Sequence, residues 1–113
     1  MFRKASPDDF DLVVEGVGNF SFARRTMRDE MKIQVEYARF IDGVTPTDWL
    51  RAVAGWLSVL NVLTVRAPEG WDTEAMDPLD DETYSKMLKV YTALVTQERS
   101  FRGIVSEGSK AQG

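Results

Sequence analysis

The stretch from Thr45 to Asp72, TPTDWLRAVAGWLSVLNVLTVRAPEGWD, constrains this chain more than any other. Its Leu, Val, Ala and Trp residues leave few polar positions, and an element so apolar on all sides is buried among others rather than laid on a solvated surface. The remaining elements must therefore pack around it. Thr45 offers a capping hydroxyl, Pro46 suits the first helical position and Asp48 lies three residues past the cap, so the helix is expected to open there. Trp49, Val53, Trp56, Leu60 and Leu63 form one ridge at helical spacing, and Leu50, Ala54 and Leu57 form the next. β-Branched residues accumulate beyond Ser58 and lower helix propensity, which predicts helix to Leu63, extended chain afterwards and a break at Pro68.

Upstream, FDLVVEGVGNFSFARR places aromatic and β-branched residues on either side of Gly16-Val17-Gly18-Asn19, a run that supplies positive-φ turn positions. Phe20, Phe22 and Arg24 alternate with Ser21, Ala23 and Arg25, which is strand periodicity, so a β-hairpin is expected here. An isolated hairpin is marginal in water, and one face of this one must dock on helices. Thr26 then opens a helix, with Asp29 at the position of a short-armed capping box and Gly43 as the stop. That helix carries two apolar stripes: Met27, Met31, Val35 and Ala38, with Ile41 three further; and Ile33, Tyr37 and Phe40. Two stripes imply either burial on two sides or one core face and one partner face.

Residues 67–82, APEGWDTEAMDPLDDE, form an acidic connection without a basic residue. The plainer reading is a solvated loop that feeds carboxylates into the N-terminus of the next helix, where they oppose the positive dipole end. Trp71 and Met76 are its apolar exceptions and either fold back onto the core or mark a sticky edge. A third helix is expected from Asp80 or Asp81 to Gly103, its face drawn by Tyr84, Met87, Tyr91, Leu94 and Phe101 and interrupted at Glu98. The expected class is therefore mainly α: a three-helix core with a short N-terminal β-hairpin. Residues 1–9 read as a flexible lead-in, 10–103 as a single globular domain and 104–113 as a flexible, disordered tail of linker composition.

With 113 residues there is room for one core and not for two. Hydrophobic residues at 43% and charged residues at 28% separate the chain from disordered sequences. A net charge of −4 disfavours wrapping a nucleic-acid backbone. There is no cysteine and no histidine, which removes disulfides, thiolate chemistry, thiolate metal sites and imidazole acid–base catalysis. The apolar run from Trp49 to Val65 is interrupted by Arg51, Ser58, Asn61 and Thr64 and falls short of the ~20 apolar residues of a membrane helix. The N-terminus has no apolar run after its basic residues and does not read as a secretory signal. The expectation is a soluble, intracellular protein that is not an enzyme, holds no cofactor or metal and contacts neither nucleic acid nor membrane.

The chemistry-bearing clusters are few. Asp77, Asp80, Asp81 and Glu82 lack the alternating spacing and internal glycine of a calcium loop. Gly16 and Gly18 precede a strand rather than a helix and make a turn, not a phosphate cradle. Arg24, Arg25 and Arg28 form the one basic cluster, which reads most plainly as a charged strand-to-helix junction and otherwise as a contact for a phosphate or an acidic partner, including the acidic run of another copy. The candidate partner-binding residues are therefore Arg24, Arg25, Arg28, Trp71 and Met76.

Three segments carry a family resemblance: FARRTMRDEMKIQVEYARFIDG, the apolar helix ending LTVRAPEGWD, and the helix ending YTALVTQERSFR. A T-x-R-D-E helix start, a Trp- and Leu-rich helix closed by P-x-G-W, and a terminal helix ending E-x-x-F-R follow one another over residues 20–103. In this the chain resembles the tail assembly chaperones of long, non-contractile-tailed bacteriophages. The resemblance implies a non-enzymatic protein of the host cytoplasm that binds the tape-measure protein, keeps it soluble and promotes tail-tube assembly around it, with the tail-tube protein as a further partner and self-association allowed. It further implies absence from the finished virion and, in many relatives, a minority frameshifted product. The alternative is a small phage structural protein, a head–tail connector or completion protein.

Overall fold

The computed structural model describes residues 2–76 and 79–101. Phe10, Leu12 and Val14 turn inward and alternate with the exposed Asp11 and Val13 in strand β1 (Phe10–Val14), paired antiparallel with β2 (Gly18–Phe22) from Phe10↔Phe22 to Val14↔Gly18. The turn is tighter than the glycine run suggests, because it consists of Glu15–Val17 and closes on a hydrogen bond from the Val17 N–H to the Val14 carbonyl at 2.9 Å. Gly16 stands there at φ 80°, a conformation L side chains rarely adopt. Gly18 and Asn19 already belong to β2. Phe20 and Phe22 are almost fully buried, and their rings stack at 5.7 Å.

Helix α1 (Met27–Ile41) opens as its sequence signature requires. The Asp29 N–H donates to the Thr26 hydroxyl at 3.2 Å and the Thr26 N–H donates back to the Asp29 carboxylate at 3.0 Å, so two otherwise orphaned donors are satisfied reciprocally. The same carboxylate accepts from the Arg3 guanidinium at 3.0 Å, while Arg3 also donates to the Val62 carbonyl at 3.2 Å. Burial pushes the Asp29 carboxyl up, but the Thr26 N–H and Arg3 outweigh it and hold it below its ordinary value. The lead-in expected to be flexible is thus held at Arg3.

Helix α2 (Asp48–Leu63) starts later than expected. Thr47, not Thr45, is the cap, accepting the Leu50 N–H at 3.1 Å, and Pro46 precedes the cap instead of opening the helix. Thr-Pro-Thr offers two hydroxyls with the same chemistry, and capping rules alone do not choose between them. The C-terminus falls at Leu63 as anticipated, and the extended residues beyond it form β3 (Thr64–Arg66). This strand pairs antiparallel with β2 through Ser21↔Arg66 and Phe22↔Thr64, with an irregularity between Ser21 and Phe22. The hairpin therefore becomes a three-stranded sheet in the order β1-β2-β3. It is tied to the end of α2 by the Ala23 N–H donating to the Leu63 carbonyl at 2.9 Å.

A short 3-10 turn (Thr73–Ala75) leads to α3 (Asp81–Phe101). One core joins Val14, Phe20 and Phe22 of the sheet, Ile33 of α1, Val53, Val59, Leu60 and Leu63 of α2, and Met87, Val90 and Leu94 of α3. Val90 is fully buried although it lies off the expected ridge, because the line that faces inward is Met87–Val90–Leu94, and Tyr84 and Tyr91 flank it half-buried. Among the described residues the chain is mainly helical, with three helices over a small antiparallel sheet. The expectations for Gly103 and for residues 104–113 lie outside the described residues. No helix among the described residues is long and apolar enough to cross a membrane.

Candidate functional site: the outer face of the first helix

The two stripes of α1 part company in the fold. Ile33 is buried and Tyr37 and Phe40 half-buried, which makes that stripe the core face. The other stripe points away: Met27 is 74% exposed, Met31 66% and Val35 69%, with Ala38 exposed beyond them. At 1.5 Å per residue these positions draw an apolar line of about 16 Å along the helix. Single exposed apolar residues need no explanation, whereas a contiguous line of them marks an interaction surface or an aggregation hazard.

The line runs beside an open cleft of about 1000 Å³. One wall is α1, contributing Arg28, Met31, Lys32 and Val35; the other is the start of the acidic connection, contributing Trp71, Asp72 and Thr73, and Phe2 joins from the N-terminal arm. The second wall is fixed in place. A Cβ on Gly18 would come within 2.5 Å of the Pro68 ring, so only glycine lets the connection settle on the hairpin. The Trp71 and Phe20 rings meet edge to face with their centres 5.0 Å apart. The Thr73 hydroxyl donates to the Asn61 side-chain oxygen at 2.7 Å, and the Asn61 amide donates to Glu36 at 3.3 Å. Glu36 also receives the Arg39 guanidinium at 2.9 Å, and Arg39 reaches Glu74 at 3.2 Å. The hydrogen bond from Arg39 holds the Glu36 carboxyl below its ordinary value. A polar chain thus joins α1, α2 and the 3-10 turn, and this first part of the connection is not the freely solvated loop that composition suggests.

The residues singled out in the sequence fall in three places. Arg25 donates to Glu98 at 2.9 and 3.0 Å and to Glu30 at 2.8 Å, which explains why an acid interrupts the apolar face of α3. A contact between copies through Arg25 would have to compete with these carboxylates. Arg24 lies over the Phe101 ring at 3.9 Å. Arg28 and Trp71 meet at the cleft. Met76 packs on the core and lines a smaller apolar pocket of about 370 Å³ with Trp49, Leu57 and Tyr84. Trp71 and Met76 have therefore both folded back onto the core. Met27, Met31, Lys32 and Val35 were not among the singled-out residues; the doubled stripe was the signal that could have found them.

Among the described residues no cluster of three or more acidic, His or Cys side chains could hold a metal ion. Every buried side-chain polar atom among them has a hydrogen-bond partner. No protein-family model, curated protein or solved structure matches the chain.

Proposed function

We propose that this protein is a tail assembly chaperone of a long-tailed bacteriophage, a non-enzymatic protein of the host cytoplasm that binds the tape-measure protein and promotes tail-tube assembly around it. The observation that carries the reading is the exposed line Met27–Met31–Val35 beside an open cleft, on a helix whose opposite face is committed to the core. A client with long apolar helical faces needs an adaptable apolar surface of this kind, and flexible, polarisable methionine supplies it. The three segments that resemble this chaperone family supply the identity of the client; the exposed line supplies the means of holding it.

Co-expression with the tape-measure protein of the same phage tests the reading. The expected result is a several-fold rise in soluble tape-measure protein. An unchanged soluble yield would remove the chaperone reading. Stoichiometric recovery of the protein from purified virions would replace it with a connector or completion role.

A further inference from the structure

We propose that the cleft along α1 takes an amphipathic α-helix bearing carboxylates beside its apolar stripe, the carboxylates lying against Arg28 and Lys32. The inference deepens the reading of α1 as the client face and rests on it. The exposed line matches one face of a helix laid alongside, the arrangement in which residues at i, i+4, i+7 and i+11 of the visitor meet a groove.

Charge decides which helix. At one end of the cleft the single guanidinium of Arg39 faces two carboxylates, Glu36 and Glu74, and Asp72 adds a third while accepting the Glu74 N–H at 3.1 Å, so that end is acidic. At the other end of the α1 wall, Arg28 and Lys32 are exposed and have no carboxylate within ion-pair distance among the described residues. They lie four residues apart and each directly follows a stripe methionine, so both cations border the apolar line. In a chain of net charge −4 this border runs against the overall balance.

The same border argues against α1 pairing with α1 of a second copy. An antiparallel twofold pairing centred on the stripe would bring the two Lys32 side chains together at the axis, and a parallel one would align the Arg28 pair. Like charges beside an apolar seam act as a repulsive element and exclude such partners.

The test uses labelled helical peptides of about 18 residues, long enough to hold helix. They share one Leu/Ala stripe and differ only in Glu or Lys flanks. Anisotropy titrations against the full chain are expected to show the Glu-flanked peptide binding about tenfold more tightly than the Lys-flanked one, with the preference shrinking as salt is raised. R28E/K32E should reverse the preference. M31D/V35D should abolish binding of both peptides, and a wild-type-like circular dichroism spectrum would show that the fold survives.

Equal binding of the two peptides, or no binding of either, would overturn the proposal. So would a wild-type dimer that M31D/V35D converts to monomer, since a second copy would then occupy the face. The outcomes separate from those of the functional reading. Charge-selective peptide binding without tape-measure rescue removes the phage assignment and leaves this surface standing; rescue without charge selectivity does the reverse.

Discussion

At the residue scale, Asp29 illustrates how one side chain joins distant parts of the chain. Its carboxylate caps α1 and anchors Arg3, which in turn holds the end of α2 through the Val62 carbonyl. Because its folded pKa lies below its ordinary value of 3.8, the unfolded chain binds the proton more readily, and stability falls as pH drops through that lower range. Above the ordinary value the contribution is complete. Glu36 acts in the same direction from an ordinary value of 4.5. Asp29→Asn is expected to cost about 1–2 kcal/mol at neutral pH, the scale of a lost cap and a lost charged hydrogen bond. Urea unfolding between pH 7 and 3 should show the wild type losing stability on acidification and the variant losing less. Parallel profiles would mean that Asp29 does not carry this share.

At the element scale, the division of α1 into a core face and an outer face makes a sharp contrast. Ile33→Ala opens a buried site and is expected to cost about 2–4 kcal/mol, whereas Met31→Gln on the outer face should change stability by less than about 0.5 kcal/mol. Denaturant midpoints of the two variants check it; comparable losses would place Met31 in the core. This scale also shows what was legible before the structure. The Thr26–Asp29 cap could be read because its partners lie three residues apart, and the end of α2 at Leu63 because β-branched residues gather there. The start of α2 could not, since Thr45 and Thr47 offer equal caps. Strand β3 could not either: Thr64–Arg66 is short, and its partners Ser21 and Phe22 lie far upstream, beyond the reach of any local pattern. The site was half legible for the same reason. The doubled stripe of α1 announced an extra face, but which stripe met solvent depended on how α2 and the sheet packed. Arg25 looked as available as Arg28 until α3 brought Glu98 beside it.

At the scale of the whole molecule, the sheet and α3 cover the core, the later part of α2 runs through it, and α1 stands with one side committed and one side open. The first turns of α2 stay exposed at Trp49, Arg51 and Ala52 and so depart from the all-round burial expected of that stretch. β3 clamps the hairpin to the end of α2, and the first part of the acidic connection is bonded to α2 and α1, so the cleft beside α1 has two fixed walls. A preformed groove of this sort binds a helix without the entropic cost of ordering its own walls. The most direct test of the account compares the soluble yield of the tape-measure protein co-expressed with the wild type and with M31D/V35D. Rescue by the wild type and loss of rescue with a variant that remains folded are the expected results. Equal rescue by both would contradict the account, because the client would then be held somewhere other than the outer face of α1.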